Sequence, residues 1–65
     1  MDKNELSQNV HRAVETLEDA ANILRECYED AKCLLTKEEL EEFEKLSLSV
    51  CFDVLRASKL DNQIQ

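Results

Sequence analysis

The sequence has no glycine, no proline and no tryptophan, and it has a single histidine. Without glycine, turns that require a positive φ are unavailable, and so are the Gly-rich loops that cradle phosphates and the dinucleotide-binding fingerprint. The one histidine, His11, is the only base that Cys27, Cys33 and Cys51 would have, which removes most routes to nucleophilic catalysis. No apolar run approaches the roughly 18 residues needed to cross a bilayer. Residue 2 is Asp and the next apolar residue is Leu6, so neither an export signal nor a membrane span is expected. At 65 residues the chain holds one small domain at most, in the size range where a lone hydrophobic core is marginal. These absences point away from an enzyme, a cofactor or a small-molecule substrate.

What the chain does have is charge of one sign. Fifteen acids against 8 bases give a net charge of −7 and a pI near 4.5. The resulting field repels phosphate backbones and anionic lipid, so neither nucleic acid nor membrane is expected as a partner. The main use of such charge is solubility. A local use is a docking face for a basic partner, for which Glu38, Glu41 and Glu42 are the candidates within an acid cluster that also holds Glu39 and Glu44. An extension of that idea is an acidic inhibitor that mimics DNA charge. Three cysteines without an export signal read as free thiols in a reducing compartment, hence a cytoplasmic protein. No CxxC occurs and only His11 is left as a fourth ligand, so no metal site is expected.

Apolar residues in the first half recur alternately four and three apart: Leu6, Val10, Ala13, Leu17, Ala20, Leu24, Cys27, Ala31 and Leu34. This heptad seam predicts one long helix from Asn4 or Glu5 to Leu34, with small residues alternating with leucines. Val14, Ala21, Ile23, Tyr28 and Leu35 widen the seam. Thr36 followed by Glu39 reads as a capping box, which starts a second helix at Lys37. Its acids at the front and Arg56 and Lys59 toward the rear suit the helix dipole, with an end near Leu60. So short a connection folds the two helices back antiparallel, as an all-α hairpin over residues 5–34 and 37–60, with 1–4 and 61–65 frayed. Residues 46–55 contain β-branched residues, yet no turn residue flanks them and no second strand candidate exists, so helix is expected there too.

At 100° per residue the apolar side chains of the second helix cover an arc of about 240°. One antiparallel neighbour cannot shield that much. The hairpin is therefore expected to complete a four-helix bundle, by dimerisation or with a different helical chain. The candidate partner-binding residues fall on two flanks, Leu48, Phe52 and Leu55 on one and Leu46, Val50 and Ala57 on the other. One flank is to meet the first helix and the other the second chain. His11 and Glu15 form an i, i+4 pair expected on the wet face. Cys27 and Cys51 are expected in apolar surroundings and Cys33 in solvent, while Tyr28 and Phe43 cap the core near the turn.

The long first helix and the layering of Ala13, Leu17, Ala20, Leu24 and Cys27 resemble the Rop-type hairpin, a homodimeric four-helix bundle that assists pairing of plasmid RNAs. That family reads RNA with a basic and polar stripe, whereas the matching outer positions here are Glu15, Glu18, Asp19, Glu26 and Glu29. The helix, short turn and helix opening with LTKEELEEFEKL also resemble small co-chaperones of type III secretion needle subunits. That resemblance spans residues 10 to 60 and implies a cytosolic hairpin paired with another helical chaperone. The expected function is a non-enzymatic protein-binding module, with a Rop-like RNA regulator and an acidic mimic as alternatives.

Overall fold

The computed structural model describes residues 1–65, and it is helical with no strand. Helix α1 runs Lys3–Glu26, α2 runs Tyr28–Leu34 and α3 runs Lys37–Ile64. Both long helices start on side-chain caps that satisfy orphan amides. The Asp2 carboxylate accepts from the Glu5 amide at 2.8 Å, so the helix begins at Lys3, ahead of the expected start at Asn4 or Glu5, and residues 3 and 4 belong to it. At the other cap both arms of the capping box are present: Glu39 N donates to Thr36 Oγ1 at 3.2 Å and Thr36 N donates to Glu39 Oε1 at 2.9 Å.

The predicted first helix is interrupted once. Cys27, with ψ of −6°, directs its amide at the carbonyls of both Ile23 and Arg25, a tightened turn that separates α1 from α2. No residue type at the site dictates that break. The backbone bond from Ala31 N to Cys27 O at 2.9 Å carries the helical path onward, so the heptad register survives the hitch. Leu35 and Thr36, both extended, reverse the chain, and α3 returns antiparallel along α1 to form a rod of 47 × 16 × 14 Å.

Two sequence-based expectations about the ends are corrected. Helix α3 continues to Ile64, so residues 61–64 are helical and not frayed, and Arg56 and Lys59 lie short of its last turn. The physical reason is Asp61, whose carboxylate is tucked against α1 at 6% exposure and takes a hydrogen bond from Gln65 at 3.3 Å. Ile64, half-buried, adds a further apolar contact point beyond it.

The seam is also displaced from its expected position. Buried and half-buried residues of α1, α2 and the turn that follows are Ser7, Val10, Val14, Leu17, Ala20, Ala21, Leu24, Ala31 and Leu35. Val10, Leu17, Leu24 and Ala31 are members of the predicted row, but their companions are Val14 and Ala21, one position on from Ala13 and Ala20. Facing them on α3 is an equally regular set: Leu40, Phe43, Ser47, Val50, Val54, Ala57, Asp61 and Ile64. The core that results is thin. Only 4 of 65 residues are buried, Val14, Ala21, Ala31 and Asp61, and no side chain is enclosed to below 2% exposure.

Candidate functional site

The flank question has a direct geometric answer. Val50 and Ala57 lie half-buried in the row turned toward α1, whereas Leu48, Phe52 and Leu55 are 61%, 56% and 66% exposed. The heptad spacing explains the split: residues 48, 52 and 55 fall on the opposite side of α3 from residues 50 and 57. Leu46, placed with Val50 and Ala57 by the sequence, is itself exposed. A cleft between the helices, lined by Ala21, Arg25, Cys51, Val54 and Leu55, borders the outer apolar patch.

Apolar exposure is not limited to α3. Leu6, Ile23, Leu34 and Leu60 are exposed as well, and so are Cys27 and Cys51, which corrects their expected place in apolar cores. Cys33 is exposed, as its position on the helix implied, and all three thiols are free. Tyr28 is partly exposed beneath Lys32, whose ammonium sits 5.1 Å from the ring centroid. Phe43 is half-buried near the turn, beside Leu35, Glu38, Glu39, Glu42 and Leu46 in a shallow hollow.

Of the acidic candidates, Glu38, Glu41 and Glu42 all face solvent, and Glu42 pairs with Lys45 at 3.2 Å. Glu39 is committed to the cap of α3.

The polar cluster that sequence reasoning missed lies at the open end of the hairpin. His11 keeps its pairing with Glu15, Nε2 to Oε1 at 3.0 Å, but its Nδ1 also meets Asp61 Oδ2 at 2.9 Å. A neutral imidazole has one N–H and two carboxylates here require two, so the ring is best satisfied as imidazolium. The hydrogen bond that His11 donates to Asp61 and the charge of that carboxylate raise the His11 pKa above its ordinary value, with desolvation opposing them and Glu15 adding a lesser upward push. The two carboxylates address opposite ring nitrogens and so do not converge on a common point where an ion would sit. No group of three or more His, Cys, Asp or Glu side chains is arranged to hold a metal. The signal that locates Asp61 is the α3 period itself, because Leu40, Ser47 and Val54 lead at steps of seven to position 61.

No helix is long and apolar enough to cross a membrane. Comparison with protein families, with characterised proteins and with solved structures finds no match to this chain.

Proposed function

We propose that this protein is a non-catalytic protein-binding module, a helical hairpin that works by burying its exposed apolar faces against a helical partner chain. The observation that carries the reading is the apolar bulk that α3 turns to solvent, Leu48, Phe52 and Leu55, on the side opposite the row that meets α1. Leaving such side chains wet forgoes roughly 1.5 to 3 kcal/mol each, a large share of what a domain of this size has to spare. The area supports the same reading. One chain exposes 5210 Å², against about 4,200 Å² for a compact monomer of this mass. The excess is on the order of the ~800 Å² that one partner buries in a standard interface.

Completion of a four-helix bundle is the arrangement that covers both helices, and a chaperone or adaptor role follows if the partner is a helix that would otherwise aggregate. The three free thiols fit a reducing, cytoplasmic setting. The test combines sedimentation at micromolar concentration with binding of the dye ANS, which reports accessible apolar surface. Self-association, or a monomer that binds ANS and loses that binding when Leu48 and Phe52 become Ser, is the expected result. A strictly monomeric, cooperatively folded 7.5 kDa species that binds no ANS overturns the reading.

A further inference from the structure

The hollow beside the turn differs from every other on the hairpin in what lines it. Leu35 in the turn joins Phe43 and Leu46 of α3 as its apolar floor, and Glu38, Glu39 and Glu42 form its rim. No lysine or arginine lines it. The two clefts between α1 and α3 each set Arg25 beside a single acid, Glu18 in one and Glu29 in the other. The hollow at the open end has His11 and Arg12 and no apolar wall. Only the turn end combines apolar surface with charge of one sign.

Helical spacing puts this set together. Glu38 and Glu42 are four apart, and Glu39, Phe43 and Leu46 follow at four and three, so all five project from one side of α3. Glu41 and Glu44 fall on the other flank, so of the three candidate docking acids Glu38 and Glu42 belong to the hollow and Glu41 does not. Part of the charge has local uses. Glu39 accepts from the Thr36 amide in the cap, acids in the first turn suit the helix dipole, and Glu42 pairs with Lys45 at 3.2 Å. Those uses leave a surplus, because Lys45 is the one cation paired with the rim's three carboxylates, and neither Glu38 nor the preceding Lys37 makes an ion pair. The apolar floor is open as well. Phe43 is only half-buried, Leu46 is 52% exposed, and Leu34, next to Leu35, is 82% exposed.

We propose, building on the protein-binding reading above, that the turn-end hollow receives a cationic amphipathic helix of another protein, with an apolar side chain seated on Phe43 and Leu46 and lysines or arginines over Glu38 and Glu42. Charge complementarity selects this occupant. A second copy would bring a net charge of −7 to an acidic rim, and the same field repels phosphate backbones and anionic lipid. Length agrees with it. Glu38 to Leu46 spans about 12 Å at 1.5 Å per residue, so two turns of an opposing helix, with cations at i and i+4 and an apolar residue one turn beyond, match the whole site. Covering Phe43 also removes water from beside the ion pairs, which strengthens them relative to pairs on open surface.

The experiment is fluorescence anisotropy of a labelled helical peptide of about 18 residues, with leucines on one face and lysines along its edges, compared with the same peptide carrying glutamate for lysine. The lysine peptide is expected to bind the intact chain at micromolar concentration and to bind more weakly as salt is raised, and the glutamate peptide is expected not to bind. Glu38→Gln together with Glu42→Gln is expected to weaken binding by about tenfold or more, and Leu46→Ser by about fivefold. Glu41→Gln together with Glu44→Gln, an equal change of charge outside the hollow, is expected to weaken it by less than about threefold. All five positions are exposed, so each variant should keep its helicity by circular dichroism. Equal weakening by the two glutamine pairs, equal binding of the two peptides, or no effect of Leu46→Ser overturns the proposal. Self-association that shuts the lysine peptide out overturns it too, by making a second copy the occupant. If neither peptide binds while ANS binding still depends on Leu48 and Phe52, the cationic partner is lost and the wider binding-module reading stands; a monomer that binds neither peptide nor ANS ends both.

Discussion

Both the inner and the outer face of α3 carry apolar bulk, and only the inner one is covered. Toward α1 the helix presents Leu40, Phe43, Ser47, Val50, Val54, Ala57, Asp61 and Ile64, and away from it Leu48, Phe52 and Leu55. A helix selected only to stabilise its own hairpin gains most by placing its bulk inward, because buried area sets the hydrophobic contribution. The inner face here holds the hairpin, with Leu40, Phe43, Val50 and Val54 along the seam and a His11–Asp61 contact at 2.9 Å to fix the sliding position of one helix on the other. The outer face carries apolar bulk that the single chain leaves wet. The residues that hold this hairpin together and the apolar residues it leaves exposed are therefore separate sets on one helix, and substitutions should separate them.

The largest expected effect is on the inner face. Val50→Asp puts a carboxylate into the thin seam and should cost on the order of 3 kcal/mol, enough to unfold much of the population, as followed by far-UV circular dichroism in urea. Next comes Thr36→Ala, which removes the hydroxyl arm of the capping box at the start of α3 and should cost about 1 kcal/mol in the same titration. Leu48→Asp, two residues from Val50, should change the stability of the single hairpin by less than about 0.5 kcal/mol while diminishing ANS binding. Equal costs at positions 48 and 50 would abolish the distinction between the faces.

The smallest effect is a pH dependence at the open end. His11 has a raised pKa in the folded chain, first through its hydrogen bond to Asp61, so its stabilising contribution is full below the unfolded value of about 6.5. It is lost as pH rises through the higher folded value. The melting temperature should accordingly decline slightly from pH 6 toward pH 8, and His11→Gln should flatten that slope. A slope that survives the substitution places its origin in the acid-rich surface and not in the contact between α1 and α3.

Much of the helical layout is legible in the residues. The Thr36 and Glu39 spacing locates the start of α3, and the four-three alternation announces a long first helix, because caps and periodicity are local properties of the chain. The hitch at Cys27 is not legible, since neither glycine nor proline marks it. Which of two adjacent heptad rows faces α3 is equally hidden. Ala13 and Ala20 are as apolar as Val14 and Ala21, and the choice depends on how the turn at Leu35 and Thr36 aims the returning helix. The contact between Asp61 and His11 is hidden too, because a fifty-residue separation in sequence gives no local clue that they touch. The outer patch of Leu48, Phe52 and Leu55 was visible as a set of side chains, but its direction needed the fold.

The thinness of the seam also bears on how long a solitary molecule lasts. With no side chain enclosed to below 2% exposure, few contacts resist local opening, and the free energy separating native from cleavable conformations is small. Proteases sample such openings, so the single hairpin is expected to be cleaved readily, and any chain that covered its seam or outer face would lengthen its lifetime.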